Sequence, residues 1–346
     1  MFARVPALAI AAAIALGGAI AAPAQAQQKL VINSYGGAYE QIHRRLVIDP
    51  FARKHNVEVQ VITAYSADAL AQVRAQKAAP QFDVIHFSGG QEVVAAREGL
   101  IAPIRLAELE NGKDMHPFAV AGLSRGEGPV HAVAAVGLLY NKARAPKAPS
   151  SWNDLWDPAF KDHILLTDLS NSYGLLGFLM INKVKGGDIR NPAKGFDAVK
   201  GLLGSSVVVA TSPEIQQNFA QNDAWIAPYA QDYAFTLRKA GLPIEFVQPK
   251  EGAAGVFLTV NLVANRPNQA LAKKFIDFSL SPEVQAGWAQ ELRYSPTNKA
   301  TRLDAALSRE VIYGEQAVAG LVRFDPVEVA DARAGLVETW KKLIAR

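Results

Sequence analysis

Two pairs of adjacent glycines follow short apolar runs in this sequence, and each pair exposes backbone N–H groups to a ligand. The first pair lies in Leu30–Glu40, which reads LVINSYGGAYE, and the second follows the run FDVIHFS. Glycine permits positive φ and close approach to the main chain, and a following helix directs its first N–H groups at the same point. Such a turn holds an anion or a carbonyl group, and the alternative for each is an ordinary tight turn between strand and helix. The candidate residues of the two turns are Ser34, Gly36, Gly37, Ser88, Gly89 and Gly90.

Aromatic side chains fall at the predicted strand ends or in the loops that follow them. A ring at such a position stacks on a flat or cationic organic ligand, while its polar tip still reaches water. Packing in the core is the competing interpretation, and Trp225 fits either one equally well. The tryptophans at 152, 156 and 288 lie within local apolar helical patterns and are predicted to be packing residues. The aromatic candidates for ligand contact are Tyr35, Tyr39, Trp225, Tyr229, Tyr233 and Tyr294.

Signals for catalysis are weak. The segment Gly122–Gly126 reads GLSRG, but the GEGP that follows cannot begin the helix that a nucleophile elbow requires. The six histidines are scattered and the chain has no cysteine, so neither a metal site nor a cofactor is predicted. The sequence contains no phosphate-binding loop and no dinucleotide fingerprint. We therefore predict that the protein is not an enzyme and has no catalytic residue.

Alternating strands and helices position these candidates. A β-α-β-α-β order runs from Lys29 to Gly99, and a second alternation of strands and helices runs from His163 to Gly241. This order predicts two parallel sheets with right-handed crossovers. Two long apolar runs, Val130–Tyr140 and Val256–Ala264, are predicted to be the strands that join the two lobes as hinges. Ligands of open α/β sheets lie beyond the carboxyl ends of the strands, so we expect a cleft between the lobes.

The first 26 residues are typical of a secretory signal peptide. Arg4 precedes an Ala/Ile/Leu run, Pro23 ends it, and the AQA at 24–26 gives the small-residue cleavage pattern. The alternative is a membrane anchor, although the Ala/Gly content makes the run weakly hydrophobic. No cysteine follows that would carry a lipid or form a disulfide, which a large enough core makes unnecessary. An untethered exported protein that serves its own cell needs a second membrane to confine it, so we predict a periplasmic location.

Several stretches of the chain, taken in order, carry a resemblance to a known family. They are LVINSYGGAYE, FDVIHFSGGQEVVAAREGLIAPI, SSWNDLWDPAFKDHILLTD, EFVQPKEGA and SPEVQAGWAQELRYSPTN, within residues 29–303. They resemble the periplasmic substrate-binding proteins of ABC importers, in particular the spermidine/putrescine-binding family and its relatives for thiamine, ferric iron and small organic acids. The resemblance implies an α/β fold of the two-lobed type II periplasmic binding protein kind, each lobe a parallel-rich sheet flanked by helices. It also implies that the lobes close on a ligand like a hinged clamp and then dock on a membrane permease.

The resemblance sets the expected domain boundaries. The prediction is a signal peptide at 1–26, a first lobe at 27–132 plus 257–305, and a second lobe at 133–256 plus 306–346, with the lobe of the C-terminal helices left open.

The resemblance also bears on the ligand. Polyamine binders of the family hold ammonium groups with acidic side chains, but Leu169, Ser172 and Val260 stand where a carboxylate is expected. A buried ammonium without a carboxylate costs several kcal/mol, so a diamine or triamine is disfavoured. Leu258 stands where the family has a tryptophan, whereas Tyr294 matches the cleft tyrosine of the family.

The remaining polar candidates favour a small carboxylate or a zwitterion. Arg293 offers a planar fork suited to a carboxylate, although a surface cation at a helix end is the alternative. Asp232 is the acid expected near the cleft that would meet a single amine. Polyamine and thiamine remain alternative ligands, while ferric iron is disfavoured because those relatives use adjacent tyrosines. The hydroxyl candidates are Ser88, Ser170, Ser172 and Thr211.

The predicted function is periplasmic solute capture for an ABC importer, with a secreted enzyme or a ligand sensor on the same scaffold as rivals. The expected partners are a small-molecule ligand and the permease and ATPase subunits, with membrane contact only through the permease. The formal net charge of +4 is mild, and its 36 cations are interspersed with 32 acids, so no nucleic-acid partner is expected. The protein is expected to be a monomer.

Overall fold

The computed structural model describes residues 28–345, so the predicted signal peptide at 1–26 lies outside the described residues. Within that range ten strands form one sheet with the main order β2-β1-β3-β10-β5-β8-β6-β7, while β4 pairs with β10 and β9 pairs with β5. The strands are β1 (Lys29–Ser34), β2 (Glu58–Thr63), β3 (Val84–Phe87), β4 (Ile101–Ala102), β5 (Val130–Asn141), β6 (Ile164–Thr167), β7 (Ser206–Val209), β8 (Ile226–Ala230), β9 (Ile244–Val247) and β10 (Ala254–Val263).

Fourteen α-helices connect and cover these strands in the described part of the chain, together with short 3₁₀ segments in the loops. They are α1 (Gly37–His43), α2 (Asp49–His55), α3 (Ser66–Ala75), α4 (Gln91–Arg97), α5 (Pro117–Val120), α6 (Ser172–Val184), α7 (Ala193–Leu203), α8 (Ser212–Gln221), α9 (Gln231–Lys239), α10 (Gln269–Ser279), α11 (Pro282–Leu292), α12 (Leu307–Glu310), α13 (Glu315–Ala319) and α14 (Pro326–Ile344). A π-helical stretch, Arg44–Ile48, makes α1 and α2 one continuous helical segment.

The sheet has parallel outer parts and an antiparallel centre. Strands β1, β2 and β3 pair in parallel and form the first parallel set, and β6, β7 and β8 form the second parallel set. Between them the two longest strands, β5 and β10, pair antiparallel with each other, with a register shift at Leu258–Thr259. This arrangement confirms the α/β fold, and the two central strands coincide with the runs predicted to be hinges.

Sequence pattern explains which strands are buried. The four residues of β3, VIHF, are all buried because helices cover both faces of this part of the sheet. Strand β2, at the edge of the sheet, instead largely alternates exposed and half-buried residues, as the alternation of valines and polar residues in VEVQV indicates for a half-buried strand. The long apolar strands β5 and β10 are buried over nearly their whole lengths, so they form the centre of the main core.

Both parallel sets direct their carboxyl ends, and the helices that follow, at a common region of the molecule. The helix α14 closes the chain by packing across this region, against α4 on one side and α7 on the other. The lobe boundaries at 132, 256 and 305 stay a prediction. None of the helices described is long and apolar enough to cross a membrane.

Candidate functional site

A cavity of about 410 Å³ lies where the two parallel sets meet, beyond the carboxyl ends of their strands. We call it the cleft. Five helices of the described chain, α1, α3, α6, α8 and α9, contribute residues of their first turn to its wall. Their N-terminal N–H groups therefore surround the space, which is a setting that favours a ligand with an anionic group.

Tyrosine dominates the wall of the cleft. Phenol rings provide flat apolar area and a hydroxyl on the same side chain, so they suit an organic ligand with few charges. The rings contact one another: the centroids of Tyr35 and Tyr39 are 4.9 Å apart, and those of Tyr173 and Tyr229 are 5.2 Å apart. Of the described chain's tyrosines, seven line the cleft: Tyr35, Tyr39, Tyr65, Tyr173, Tyr229, Tyr233 and Tyr294.

A row of hydroxyl groups crosses the side of the cleft formed by the first parallel set. The Tyr35 hydroxyl lies 3.4 Å from Ser66 Oγ, which lies 3.3 Å from Ser88 Oγ. Ser66 Oγ also accepts a hydrogen bond from the backbone N–H of Ser88 at 3.1 Å. This bond ties the start of α3 to the end of β3, so the turn at Ser88 is held in place from the side.

Asp232 lies in the first turn of α9, on the side formed by the second parallel set, and is 7% exposed. Its Oδ2 accepts a hydrogen bond from the Tyr294 hydroxyl at 3.3 Å, and the Tyr173 hydroxyl lies 3.4 Å from that of Tyr294. Its Oδ1 is buried and finds no hydrogen-bond donor among the described residues. Burial raises the pKa of this carboxyl to about 7, because the ionised form loses its hydration.

The charges of the cleft are few. Asp232 and the exposed Asp68 line it, and within residues 28–345 no lysine, arginine or histidine does. The described chain also contains no group of three or more metal-ligating acids or histidines close enough to hold a metal ion. A ligand of this cleft therefore meets one buried carboxylate, phenol and hydroxyl groups, and helix N-termini.

Twelve of the residues predicted from sequence lie in the wall of the cleft. They come from the ends of β1, β3, β6, β7 and β8, and from the loop after α11, which are separated by up to 259 positions in the chain. Their role in ligand contact stays a prediction. The twelve are Tyr35, Gly36, Gly37, Tyr39, Ser88, Ser170, Ser172, Thr211, Tyr229, Asp232, Tyr233 and Tyr294.

Trp225 and Arg293 are placed away from the cleft, which corrects the prediction for both. Trp225 precedes β8 and so lies at the amino end of that strand, where its ring stacks on His163 at 3.6 Å. Arg293 ends α11 in a left-handed turn that separates its direction from that of Tyr294. Its guanidinium packs 3.7 Å from the Phe235 ring and donates to Glu310 at 2.8 Å, so it is the helix-end cation of the alternative interpretation.

Ser34, Gly89 and Gly90 also lie outside the wall. Ser34 is 1% exposed, and its hydroxyl lies 3.2 Å from His43 Nδ1 beneath α1. Gly89 and Gly90 have the predicted positive φ of 69° and 87°, but α14 covers them. The backbone of the second glycine turn is thus used for packing, whereas that of the first opens into the cleft.

Sequence analysis missed several residues of the wall, and three of them are polar residues that begin helices. The Ser66 hydroxyl accepts a hydrogen bond from the backbone N–H of Ser88, and Asn171 caps α6 by accepting one from the N–H of Tyr173. The segment LSNSYG, directly after β6, has the same strand-end position as LVINSYGG and was the available signal for Tyr173. The missed residues include Tyr65, Ser66, Asn171, Tyr173 and Ser212.

Comparison with known proteins identifies related chains. The model of the family described as bacterial extracellular solute-binding protein matches residues 47–313. The spermidine/putrescine-binding periplasmic protein of Salmonella typhimurium is 28% identical over 219 residues, which span 60% of each chain. The gamma-aminobutyric acid-binding protein of Pseudomonas aeruginosa is 25% identical over 297 residues, 82% of each chain. The chain thus aligns with only about three fifths of the length of the Salmonella relative.

Structural comparison agrees on the fold. The crystal structure of an ABC transporter protein from Clostridium perfringens superposes with a TM-score of 0.73 at 24% identity, covering 91% of this chain and 99% of the other. Such neighbours are two-lobed periplasmic binding proteins, and at this identity they bear on the fold alone. The match to the family model, by contrast, spans most of the chain and all of the parallel strands except β1. This protein therefore belongs to the bacterial extracellular solute-binding protein family.

Proposed function

We propose that this protein captures a small zwitterionic solute, with an amine and a carboxylate on one short chain, and delivers it to the permease of an ABC importer. The observation that carries the proposal is Asp232 Oδ1, a buried carboxylate oxygen that lacks a donor within residues 28–345. A ligand ammonium at this oxygen supplies both the missing hydrogen bond and the counter-charge.

The amine end of the ligand is argued from electrostatics. A buried carboxylate is costly unless it is paired, and here burial raises the pKa of Asp232 to about 7. An ammonium nearby favours the ionised form, so ligand binding and ionisation support each other. The Tyr294 hydroxyl bonds Asp232, and the rings of Tyr39 and Tyr294 line the same cleft, where aromatic rings attract a cation.

The carboxylate end is argued from the backbone. Gly36, Gly37 and Ala38 line the cleft at the start of α1, and no side chain of the described residues caps these N–H groups. The same holds at the start of α3, where Ser66 lines the wall. A single carboxylate suits such donors, whereas a dicarboxylate would leave a second charge without a cation to neutralise it.

A polyamine is the second candidate, and Asp68 is the observation that favours it. This exposed acid lies in the cleft wall at the start of α3, so it could meet the far amine of a diamine. An exposed pair contributes about 1 kcal/mol or less, far below the effect of the buried Asp232. The relatives are divided on this point, since one is named for spermidine and putrescine and another for gamma-aminobutyric acid.

Four ligands with the same four-carbon chain separate these possibilities: 4-aminobutanoate, putrescine, butanoate and butylamine. Calorimetric titration should rank 4-aminobutanoate first, because only the zwitterion satisfies both ends of the cleft. Asp232→Asn should abolish binding of the three ligands that carry an amine, and Asp68→Asn, the matched control, should leave 4-aminobutanoate binding unchanged. Tightest binding of putrescine, lost in Asp68→Asn, would establish the polyamine instead. Equal binding of 4-aminobutanoate to the native protein and to Asp232→Asn would remove the contact between Asp232 and the amine from the proposal.

Delivery to an importer is supported by family membership and by the periplasmic location named for relatives. The predicted signal peptide agrees with export, and the proposed partners are a permease and an ATPase. Uptake of labelled 4-aminobutanoate by cells that lack this gene tests the role. Loss of uptake that native protein restores, and Asp232→Asn does not, is the expected result. Normal uptake in the deletion strain would favour a sensor.

A further inference from the structure

The C-terminal helix α14 bridges the two sides of the cleft, although the family match ends before it, at residue 313. On the side of the second parallel set it is anchored by Trp340, which is 1% exposed and donates from Nε1 to Asp168 Oδ2 at 3.0 Å. An ion pair between Arg190 and Glu328 at 2.5 Å holds its first turn to the same side. These contacts attach the start of α14 and the part near its end to the second parallel set, while Asp331 and Ala330 between them face the first.

Arg333 extends from this helix to both sides of the cleft at once. Its Nη1 donates to the carbonyl oxygen of Gly89 at 2.9 Å, in the turn after β3. Its Nη2 donates to the carbonyl oxygen of Ser170 at 2.7 Å, in the turn after β6. The side chain is buried, with 8% of the residue exposed, so both hydrogen bonds are shielded from water. An arginine fork is the side chain suited to hold two such acceptors in one plane.

The first parallel set receives α14 on a surface that only glycine permits. A Cβ atom at Gly89 would lie 2.8 Å from Ser172 Oγ and 3.0 Å from Arg333 Nη1. At Gly90 it would lie 3.0 Å from the backbone nitrogen of Ala330. The same surface carries an ion pair between Arg97 of α4 and Asp331 of α14.

A direct contact accompanies the helix. Ser172 Oγ donates to the carbonyl oxygen of Ser88 at 3.2 Å, which joins the start of α6 to the end of β3. Glu92, 4% exposed in α4, adds a carboxylate whose charge acts on Arg333. The glycine turn predicted from sequence to bind ligand is thus the seat of this contact between the two sides.

We propose that Arg333 is a positioning residue for ligand capture: carried by α14 on the second parallel set, it fastens the turn at Gly89 and so stabilises the closed cleft. This inference rests on the proposed function, because it assumes that the two sides separate to admit a solute. Residues of the wall touch the solute, whereas Arg333 touches none of it and acts through the carbonyl groups of Gly89 and Ser170. We call the two hydrogen bonds of Arg333, to the carbonyl groups of Gly89 and Ser170, the latch. Their free energy adds to that of ligand binding in the closed form.

The test measures the separation of the two sides directly. The native chain has no cysteine, so Ala78→Cys and Lys200→Cys, both at exposed positions, carry two spin labels without background. The distances between the two labels are recorded by double electron–electron resonance, without added solute and with saturating 4-aminobutanoate. Arg333→Ala should lower the ratio of closed to open molecules about tenfold in the condition where both are populated, as expected for the loss of two charge-assisted hydrogen bonds.

Matched variants separate the latch from general damage. Arg190→Ala removes an ion pair of α14 on the second side alone and should leave the distances unchanged. Arg333→Lys, which reaches one carbonyl instead of two, should give an intermediate ratio. Gly89→Ala should open the cleft as Arg333→Ala does, even if the arginine variant folds poorly. Gly99→Ala is its control, because Gly99 has a similar φ of 63° but an added Cβ atom there would meet no atom of the described chain within 4 Å.

The outcomes distinguish this inference from the proposed ligand. Equal distance distributions for native protein, Arg333→Ala and Gly89→Ala would overturn the latch. The inference would also be overturned if the labels at 78 and 200 in native protein never showed the distance that this structure gives them. In that case the hydrogen bonds of Arg333 to Gly89 and Ser170 would not form in solution. Failure of 4-aminobutanoate to bind would contradict the proposed solute, while the comparison made without solute would still test Arg333.

Discussion

Asp232 combines three properties at the scale of a single residue: burial, one hydroxyl donor, and one oxygen that the described residues leave without a donor. Its carboxyl is protonated or ionised at neutral pH according to what occupies the cleft, because burial raises its pKa to about 7. The phenol groups around it, on Tyr39, Tyr173 and Tyr294, stay neutral over the same pH range, since burial raises each of their pKa values above the ordinary one. Among the described groups that line the cleft, Asp232 is therefore the one whose raised pKa lies near neutral pH.

Affinity for 4-aminobutanoate should depend on pH through this carboxyl. Below its pKa the carboxyl is neutral and must release a proton before it pairs with the ammonium. Affinity should thus rise about tenfold per pH unit up to about pH 7 and be constant above it. Titration calorimetry from about pH 5.5 to about pH 8.5 measures the profile, and proton release below pH 7 appears as a dependence of heat on buffer. A flat profile in native protein would contradict an ionised Asp232 as the partner of the amine.

Tyr294→Phe should move that profile to higher pH. The Tyr294 hydroxyl donates to Asp232 Oδ2 and lowers the pKa of Asp232, so its removal raises that pKa further, by about half a unit to one unit. The midpoint of the affinity profile should rise by the same amount. Tyr233→Phe is the control, because the Tyr233 hydroxyl donates to the carbonyl of Ser212 instead. Equal midpoints for the two variants would show that the bond to Tyr294 does not set the ionisation.

Single residues were predictable where the strand end alone decides their position. Tyr35 and Tyr229 follow from alternation and strand ends, and both line the cleft. Arg293 did not follow, because the left-handed turn that ends α11 sends neighbouring side chains in different directions. Sequence analysis also had no access to α14, whose contact with Gly89 brings together residues 244 positions apart.

At the scale of elements, three buried histidines lie in a row behind the wall of the cleft. His43 of the α1 segment, His86 of β3 and His131 of β5 lie side by side, with ring centroids 4.9 and 5.5 Å apart. Trp288 of α11 and Tyr39, which lines the cleft, both pack against His43 with ring centroids 5.7 Å away, and they stack on each other at 5.1 Å. Desolvation lowers the pKa of all three imidazoles, that of His86 to about 4. The elements beneath the cleft are therefore held together by neutral rings.

This row should make the protein sensitive to acid. An imidazole whose pKa is lowered by folding binds a proton in the unfolded chain first, so stability falls as the pH drops below about 6.5. His131→Phe removes one such group. Between about pH 6 and pH 5, the unfolding free energy of this variant should therefore fall less steeply than that of native protein, by up to about 1.4 kcal/mol per pH unit. Urea unfolding at several pH values measures both. The raised pKa values of Asp232 and Glu92 act in the opposite direction but are common to the two proteins. If the unfolding free energies of the two proteins changed equally with pH, a neutral buried His131 would be contradicted.

A glycine of the central strand β5 tests how closely that strand packs against β9, and a glycine of α7 serves as its control. A Cβ atom at Gly137, in β5, would collide with the carbonyl oxygen of Val247 in β9, which is backbone and cannot turn aside. Gly137→Ala should therefore lower the unfolding free energy by about 3 kcal/mol. Gly201→Ala, in the exposed part of α7 with nothing described within 4 Å, should raise it by about 1 kcal/mol. Chemical unfolding compares the two, and equal effects would contradict the close approach of β5 and β9.

The whole molecule follows from the sequence more fully than its details do. The alternation of strands and helices predicted two parallel sheets, and the structure has the two groups of parallel strands within one ten-stranded sheet. The long apolar runs predicted β5 and β10, because period and length are local properties of the chain. Which halves move together is a property of long-range contacts, so the boundaries at 132, 256 and 305 stay a prediction. The path of α14 across both sides is of the same kind, since no pattern in Pro326–Ile344 names its partners.

A ligand enclosed in the cleft should stabilise both sides of the molecule together. At a concentration about one hundred times its dissociation constant, 4-aminobutanoate should add about 2.7 kcal/mol to the unfolding free energy. Hydrogen exchange should slow in Tyr35–Tyr39 of the first side and in Ser170–Tyr173 of the second, because both segments line the cavity. The exposed turn at Lys77–Ala79 and the variant Asp232→Asn serve as controls that should not respond. Protection confined to one segment would mean that the solute binds one side only, and that closure of the two sides does not follow from capture.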